Sequence, residues 1–378
     1  KEYYNKIFLV EKDLKNFSKA TQNCNIKFVN HSKCILFTSG TTGPPKGVIV
    51  SDKMLITSAY STGLACDINS KDKFLLWESL SHIGGIEILL LCLMQGSKFV
   101  LLKKFSAKKF WKQIREYKIT KLHYLGGILN ILLKQKPKKL DRKHQVKIAF
   151  GAGARKKTYY EFKKRFNIPL REVYGMTEAS SFTTINFQKK LGSIGKSLPW
   201  FNLKLTNKVN GIGEIVIKEK QKGLITKGYY KDNKSTKMLI QKDGLHTGDL
   251  GKIDRKGNVF YIGRIKDFVR VKGENISSWE IETNLNMHKH ISESAILSTA
   301  AEIGEEDIIA LLVSKNKTKL DKIATYFQKK LPKNYNPRYW SYIDVLPRTS
   351  TLRIDKKLIN INSLKLYDFL NKKFVFLN

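Results

Sequence analysis

The run Phe37-Thr38-Ser39-Gly40-Thr41-Thr42-Gly43-Pro44-Pro45-Lys46-Gly47 gathers three glycines, four hydroxyl side chains and a lysine in one stretch. Glycines free backbone N–H groups to face an anion, hydroxyls add donors, and lysine adds a mobile positive charge. The chemistry that suits such a loop is phosphate holding. A Walker A loop is excluded, because it needs Gly-Lys-Ser/Thr four residues after its first glycine, and position 45 is Pro. Metal chemistry based on thiolates is not expected. Cys24, Cys34, Cys66 and Cys92 are irregularly spaced without a Cys-x-x-Cys pair, and His288 and His290 have no Cys beside them. His82, ahead of Ile83-Gly84-Gly85, reads on its own as a turn or core histidine.

A phosphate loop must be held by a scaffold, and the chain alternates short apolar runs with amphipathic stretches. Residues 34–37, 74–77, 99–102, 121–125, 146–150 and 170–174 read as strands. Residues 51–65, 106–117, 126–134 and 154–166 read as helices, with Ser51 and Ser106 placed to cap two of them. This alternation predicts an α/β domain with a largely parallel sheet. Around residues 203–261 the pattern turns to short alternating strands with glycine-rich turns, a small β region. From residue 267 a compact α+β unit follows, with helices at 278–287 and 319–330 and strands at 294–297, 308–314 and 339–343.

Composition narrows the classes further. An apolar fraction of 42% excludes a disordered basic tail. The longest uninterrupted apolar run, residues 88–94, is far short of the roughly 20 residues that span a bilayer. Seventy Lys+Arg against 32 Asp+Glu leave a charge of +38. These residues occur from end to end, with short bunches at 134–139 and 163–165, and no aromatic-interleaved basic module. No specific nucleic-acid partner is expected. Nor do Lys1-Glu2-Tyr3-Tyr4 read as a secretory signal, so reduced thiols and a cytoplasmic location are expected.

The phosphate-loop run resembles that of the adenylate-forming enzymes: acyl-CoA synthetases, luciferases and peptide-synthetase adenylation domains. Further blocks match in the family's order. Ser81-His82-Ile83-Gly84-Gly85 is similar to its acyl-site histidine segment and Gly151-Ala152-Gly153-Ala154 to its adenine-side loop. Tyr174-Gly175-Met176-Thr177-Glu178 and Thr247-Gly248-Asp249 are undamaged copies of two signatures. Gly263-Arg264-Ile265-Lys266-Asp267 resembles the hinge, followed by Lys272-Gly273-Glu274-Asn275-Ile276. The resemblance spans about residues 33–358, and segments such as 104–111 and 273–280 resemble the crotonobetaine/carnitine-CoA ligase group.

The resemblance implies a reaction and a set of roles. The reaction joins a small carboxylic acid to ATP as an acyl-AMP, then passes the acyl group to CoA, or alternatively to a carrier-protein thiol. Thr38, Ser39, Gly40, Thr41, Thr42, Gly43 and Lys46 would grip the β- and γ-phosphates. Tyr174 would stack on adenine, within the signature that includes Gly175 and Met176, and Gly151, Ala152 and Gly153 would line the opposite side. Thr177 would contact the α-phosphate and Glu178 would hold Mg2+, for which a carboxylate is a suitable hard ligand. Asp249 and Arg264 would bind the ribose, His82 would border the acyl carboxylate and thiol tunnel, and Gly273 would reach that tunnel after rotation about Lys266. In a quaternary-ammonium acid, Trp77 and Tyr124 would supply cation–π contacts or else serve as core aromatics.

Two departures stand out. The family's closing Gly-Lys is here Leu352-Arg353, so Arg353 or, one short turn on, Lys356 would supply the cation for adenylation. About 35 residues precede the phosphate loop, where the family carries a further subdomain. The expected organisation is therefore a partial large ATP- and acyl-binding domain at 1–265, a C-terminal lid domain at 266–360 and a tail at 361–378. A non-catalytic nucleotide-binding remnant is the rival from another class.

Overall fold

The computed structural model describes residues 32–38, 45–103, 105–271, 274–301, 306–314, 316–349 and 354–377. It begins with an antiparallel hairpin of β1 (Ser32–Thr38) and β2 (Lys46–Ser51). The strand expected at 34–37 exists, but it pairs with β2 and does not enter the parallel sheet. Its partner is the segment just beyond the Gly/Pro-rich run, and so short a connection permits only antiparallel pairing. Ser51 then caps α1 (Asp52–Cys66), its Oγ accepting the Met54 N–H at 3.2 Å.

The large unit is built on a seven-stranded sheet of β3 (Lys73–Leu76), β4 (Lys98–Leu101), β5 (Lys121–Leu125), β6 (Ile148–Ala152), β7 (Leu170–Met176), β8 (Ser181–Ile185) and β9 (Lys196–Ser197). Its order is β4-β3-β5-β6-β7-β8-β9, parallel as far as β7 and antiparallel beyond it. This is the α/β class expected from the alternation. Helices cover both faces, so each strand reads as a continuous apolar run. In β3, Phe74 and Leu76 join one core, while Leu75 points into the other. The first core lies under α1 and α2 (Ile83–Gln95). The second lies under α3 (Ala107–Glu116), α4 (Gly126–Leu133) and α5 (Lys156–Phe166), around Trp111, Ile114, Leu129, Phe162 and Phe166.

Helix α2 has no counterpart in the sequence reading. Its residues, IGGIEILLLCLMQ, are apolar on nearly every side and show no 3.6-residue stripe, the mark of a helix buried among neighbours. Its ends are nonetheless defined by His82 at the N-cap and by Gly96 in the left-handed conformation at φ +63°. Ser106 occupies the N-cap of α3 as expected, but its side chain makes no capping hydrogen bond.

The small β region comprises β10 (Phe201–Val209), β11 (Ile212–Glu219), β12 (Ile240–Gln241), β13 (Gly244–Ile253) and β14 (Val259–Arg264), with α6 (Asn233–Leu239) beside it. Beyond the turn Ile265–Asp267 come the hairpin β15 (Phe268–Val271) and β16 (Glu274–Ser277), then α7 (Ser278–Leu285). The second unit's sheet runs β17-β18-β19-β20-β21, from β17 (Ile291–Ala300) and β18 (Glu306–Ser314) through β19 (Tyr339–Tyr342) to β20 (Leu366–Asp368) and β21 (Lys373–Val375). Helices α7 and α8 (Leu320–Gln328) pack on it around Ile281, Ile323, Phe327 and Trp340. Residues 361–378, expected as a tail, thus supply two strands of this sheet. Arg338 pins them, donating to Asp307 at 2.7 Å and to Asp368 at 3.2 Å.

Candidate active site

The corner that gathers most of the motif residues lies where β7 meets the small β region. The register of β13 against β14 places Asp249 opposite Arg264, and cross-strand neighbours of opposite charge attract. Arg264 Nε–H donates to Asp249 Oδ1 at 3.0 Å, and the Tyr174 hydroxyl donates to Asp249 Oδ2 at 2.8 Å. Thr247 explains the residue two places earlier. Its hydroxyl donates to Ile215 O at 2.7 Å and accepts the Asp249 N–H at 3.1 Å, so the bend that aims Asp249 is fixed. Gly248 completes it at φ +70°. Burial, with the Asp249 carboxylate beside it, raises the Tyr174 hydroxyl above its ordinary range and keeps it a donor. In the same signature, a Cβ on Gly175 would lie 1.7 Å from Ser181 O, so glycine there is demanded by the approach of β8.

Thr177 and Glu178 sit in a buried single turn, Thr177–Ala179, between β7 and β8. Glu178 accepts a hydrogen bond from the Tyr229 hydroxyl at 2.8 Å, and Lys46 Nζ stands 4.9 Å over the Tyr229 ring. Tyr229 thereby links the exit of the phosphate loop to the acid expected to hold Mg2+. Burial raises the Glu178 carboxyl, opposed by Tyr229 and by the charges of Arg264 and Lys46. Among the described residues no three His, Cys, Asp or Glu side chains form a metal cage. A single hard carboxylate fits Mg2+ as that ion is usually carried on a nucleotide, with few protein ligands and the remainder from phosphate and water.

The loop at Gly151, Ala152 and Gly153 is held by Glu172, which the sequence reading missed. Glu172 accepts the Gly153 N–H at 3.1 Å and the Ala154 N–H at 3.0 Å, and also takes the Tyr124 hydroxyl. Burial pushes Glu172 up to about 7. Tyr124 is thus a core residue committed to Glu172, with no face turned to a substrate cation. The available signal was an acid facing the core of β7, LREVYGM, whose neighbour Arg171 points the other way along the alternation.

His82 is half-buried at the start of α2, where its Nδ1 accepts the Gly84 N–H at 3.1 Å. Lys266 is exposed in the turn between the two units. Lys356 donates to Glu282 of α7 at 2.8 Å, and Arg155 of the large unit reaches the same carboxylate at 3.2 Å. Glu293 is bridged in the same manner, by Lys134 at 2.8 Å and Arg348 at 2.5 Å. The start of α7 approaches the Tyr174–Asp249–Arg264 corner through Trp279, whose ring meets Tyr261 at 5.8 Å, with Tyr261 6.3 Å from Tyr174. Ser39, Gly40, Thr41, Thr42, Gly43, Gly273 and Arg353 lie outside the described residues.

Comparison with known proteins agrees with this geometry. The family model described as AMP-binding enzyme matches residues 11–230. The 2-succinylbenzoate–CoA ligase of Oceanobacillus iheyensis is 31% identical over 331 residues, covering 85% of this chain and 68% of the relative. The enzyme of the same name from Bacillus mycoides is 29% identical, covering 88% and 70%. Among solved structures, the o-succinylbenzoate CoA synthetase of Bacillus subtilis in complex with its acyl-adenylate superposes with a TM-score of 0.76 at 26% identity, covering 87% and 69%. The same enzyme with ATP and a magnesium ion gives 0.76, covering 87% and 70%. The chain spans about two thirds of the length of these relatives. With Tyr174, Glu178, Asp249 and Arg264 assembled at one corner and these matches along most of its length, the chain belongs to the AMP-binding enzyme family, the ATP-dependent, AMP-forming acid–thiol ligases.

Proposed function

We propose that this chain activates a carboxylic acid with ATP and transfers the acyl group to CoA. In the first step a substrate carboxylate oxygen attacks the α-phosphorus, a new P–O bond forms, and pyrophosphate leaves. In the second the CoA thiolate attacks the acyl carbon and AMP leaves. Asp249, oriented by Tyr174 and Arg264, accepts hydrogen bonds from the ribose hydroxyls. Thr177 donates toward the α-phosphate, and Lys46 offsets charge on the departing pyrophosphate. Glu178 would hold Mg2+, which when bound neutralises phosphate charge. His82 borders the acyl carboxylate, and the second unit turns about Lys266 to bring Gly273 toward the thiol.

The observation that carries this reading is the Tyr174–Asp249–Arg264 triangle beside the Thr177–Ala179 turn. CoA is preferred over a carrier-protein thiol because the relatives are named as CoA ligases. Their names also point to 2-succinylbenzoate and not to a quaternary-ammonium acid as the acyl substrate. The buried thiols Cys66 and Cys92 are unpaired, and burial pushes Cys92 up to about 12, which suits a reducing cytoplasm. No helix among the described residues is long and apolar enough to cross a membrane. A sequence-specific nucleic-acid partner forms no part of the reading. Pyrophosphate release and thioester formation, measured with MgATP, CoA and a panel of carboxylic acids, test it. MgATP binding without pyrophosphate release from any acid would favour the nucleotide-binding remnant.

A further inference from the structure

Beside the Asp249 bend lies a chain of charged side chains that the proposed mechanism does not use. The register of β11 against β13 pairs Val216 with His246 and Glu214 with Leu250, so Thr247, Gly248 and Asp249 bulge out opposite Ile215 alone. Such a bulge re-aims a side chain but takes its backbone groups off the sheet ladder. The Asp249 N–H is taken up by the Thr247 hydroxyl, and the Gly248 N–H by Glu214, to whose Oε1 it donates at 2.9 Å. The other oxygen of Glu214 meets His246 Nδ1 at 2.8 Å, and His246 Nε2 meets Asp243 Oδ1 at 2.8 Å. Asp243 is held in turn by Lys204 of β10 at 3.0 Å.

These contacts fix the charge of the histidine. A carboxylate oxygen can only accept, so two ring nitrogens that each face one must both carry a proton. His246 is therefore an imidazolium, and its side chain and that of Glu214 are each only 12% exposed. Burial lowers the imidazole, but the hydrogen bonds to Asp243 and Glu214 and their charges outweigh it, so the group titrates above its ordinary value. The charged groups gathered on it are Glu214 from β11, Asp243 from the turn before β13 and, through Asp243, Lys204 from β10. Gly248, at φ +70°, has no side chain to hold its peptide. The charge-assisted pair with His246 steadies the carboxylate that holds it instead.

We propose that Glu214 and His246 are positioning residues for nucleotide binding: together they hold the Gly248 peptide so that the Asp249 carboxylate meets the ribose hydroxyls, and the hold weakens when His246 loses its proton. The inference rests on the reading of Asp249 as the ribose acceptor. A neutral imidazole has one N–H for two carboxylates, so one contact is lost and the charge that steadies Glu214 goes with it. Binding of the ribose should therefore be strongest with His246 protonated and should decline as pH rises past the ordinary histidine range.

The test uses the whole chain and calorimetry, without any carboxylic acid, from pH 6 to 9. The ligands are MgATP and its dideoxy analogue, which lacks both ribose hydroxyls. The wild type should prefer ATP, and that preference should shrink about 3-fold toward pH 9 as one charge-assisted contact goes. Glu214→Ala should lose about 10-fold in affinity for ATP and little for the analogue, a difference that general destabilisation would not produce. In pyrophosphate release the same variant should raise KM for MgATP and leave kcat nearly unchanged, because the ribose contact is the same before and during reaction. Glu214→Gln keeps an acceptor for Gly248 but carries no charge, so it should hold the preference and lose its pH dependence. It carries the test if the alanine variant does not fold. A preference untouched in Glu214→Ala, or one pH profile shared by the wild type and Glu214→Gln, would overturn the proposal. Asp249→Ala separates the two readings. If it abolishes the preference and Glu214→Ala does not, only the positioning role fails; if it keeps the preference, Asp249 does not bind the ribose and both fail.

Discussion

The Asp249 carboxylate has a charged or aromatic donor on each oxygen, from Arg264 at 3.0 Å and Tyr174 at 2.8 Å, whereas the more deeply buried Glu87 carboxyl has only the Ser181 and Thr62 hydroxyls beside it and is pushed up to about 8 by burial. Both lie in the large unit, on structure that meets the same sheet. The first corner is assembled before any ligand arrives: its acid is aimed by two side chains and by the Thr247 bend. Such preorganisation suits a partner that never changes, the nucleotide. At the second site burial favours the neutral acid, so the fold keeps Glu87 by leaving its proton on and not by pairing its charge.

The Asp249 corner, proposed to bind the ribose, should be the more fragile of the two in function. Asp249→Ala removes an oriented acceptor and leaves Arg264 and Tyr174 without their shared partner. Its kcat/KM for MgATP should fall about 10²–10³-fold in a pyrophosphate-release assay, and calorimetry should show weakened MgATP binding. Near-normal nucleotide affinity in this variant would mean the triangle is structural.

Lys356 tests the boundary between the units. If it leaves Glu282 to serve adenylation, Lys356→Ala should slow acyl-AMP formation about 10²-fold with little change in MgATP affinity. A rate close to wild type would show that Lys356 only ties Glu282, and Arg353 would be the remaining cation.

The contrast also has a pH signature. Burial pushes the Glu87 carboxyl up to about 8, so the folded chain holds a proton that the unfolded chain releases near the ordinary carboxylate value. The stability this proton contributes is complete below the unfolded pKa and is lost as pH rises through about 8. Denaturant titrations from pH 5 to 9 should show a decline to which Glu87 contributes roughly 2–5 kcal/mol. Glu87→Gln should remove that part of the slope. A slope identical in both proteins would mean Glu87 is not the group responsible.

Smaller still, Glu87→Leu should raise the melting temperature of the ligand-free protein by a few degrees, since an apolar side chain of similar volume removes the cost of burying an acid. A loss of several degrees would show that Glu87 serves packing. The smallest effect is expected at Tyr229→Phe, which removes one hydrogen bond to Glu178 and should weaken MgATP affinity only a few-fold.

The corner at Tyr174, Asp249 and Arg264 was legible only as family motifs: on their own residues, Thr247-Gly248-Asp249 reads as a turn and Tyr174 as a core aromatic, and the resemblance is what joined them. The parallel sheet was legible directly, because β3, β5 and β6 are apolar runs bounded by helical stretches. Helix α2 was not, since a helix buried on most sides loses the periodicity that would betray it. The short strands β20 and β21 were hidden for a related reason: few residues, little alternation, and pairing set by a sheet edge formed far upstream.

What sequence alone determined is therefore the local chemistry: the phosphate-loop composition, the aimed acid, the glycines that let backbones approach. Tertiary structure decided which distant charges meet. Glu78 and His123 are 45 positions apart, and Arg155 reaches Glu282 across 127. No spacing rule links such pairs, because strand order and helix packing bring them together and the chain between them carries no trace of the contact. The same holds for the burial of Glu87. An acid within an apolar run announces itself in the sequence, but only the packed fold brings the Ser181 and Thr62 hydroxyls to it and pushes its carboxyl up to about 8.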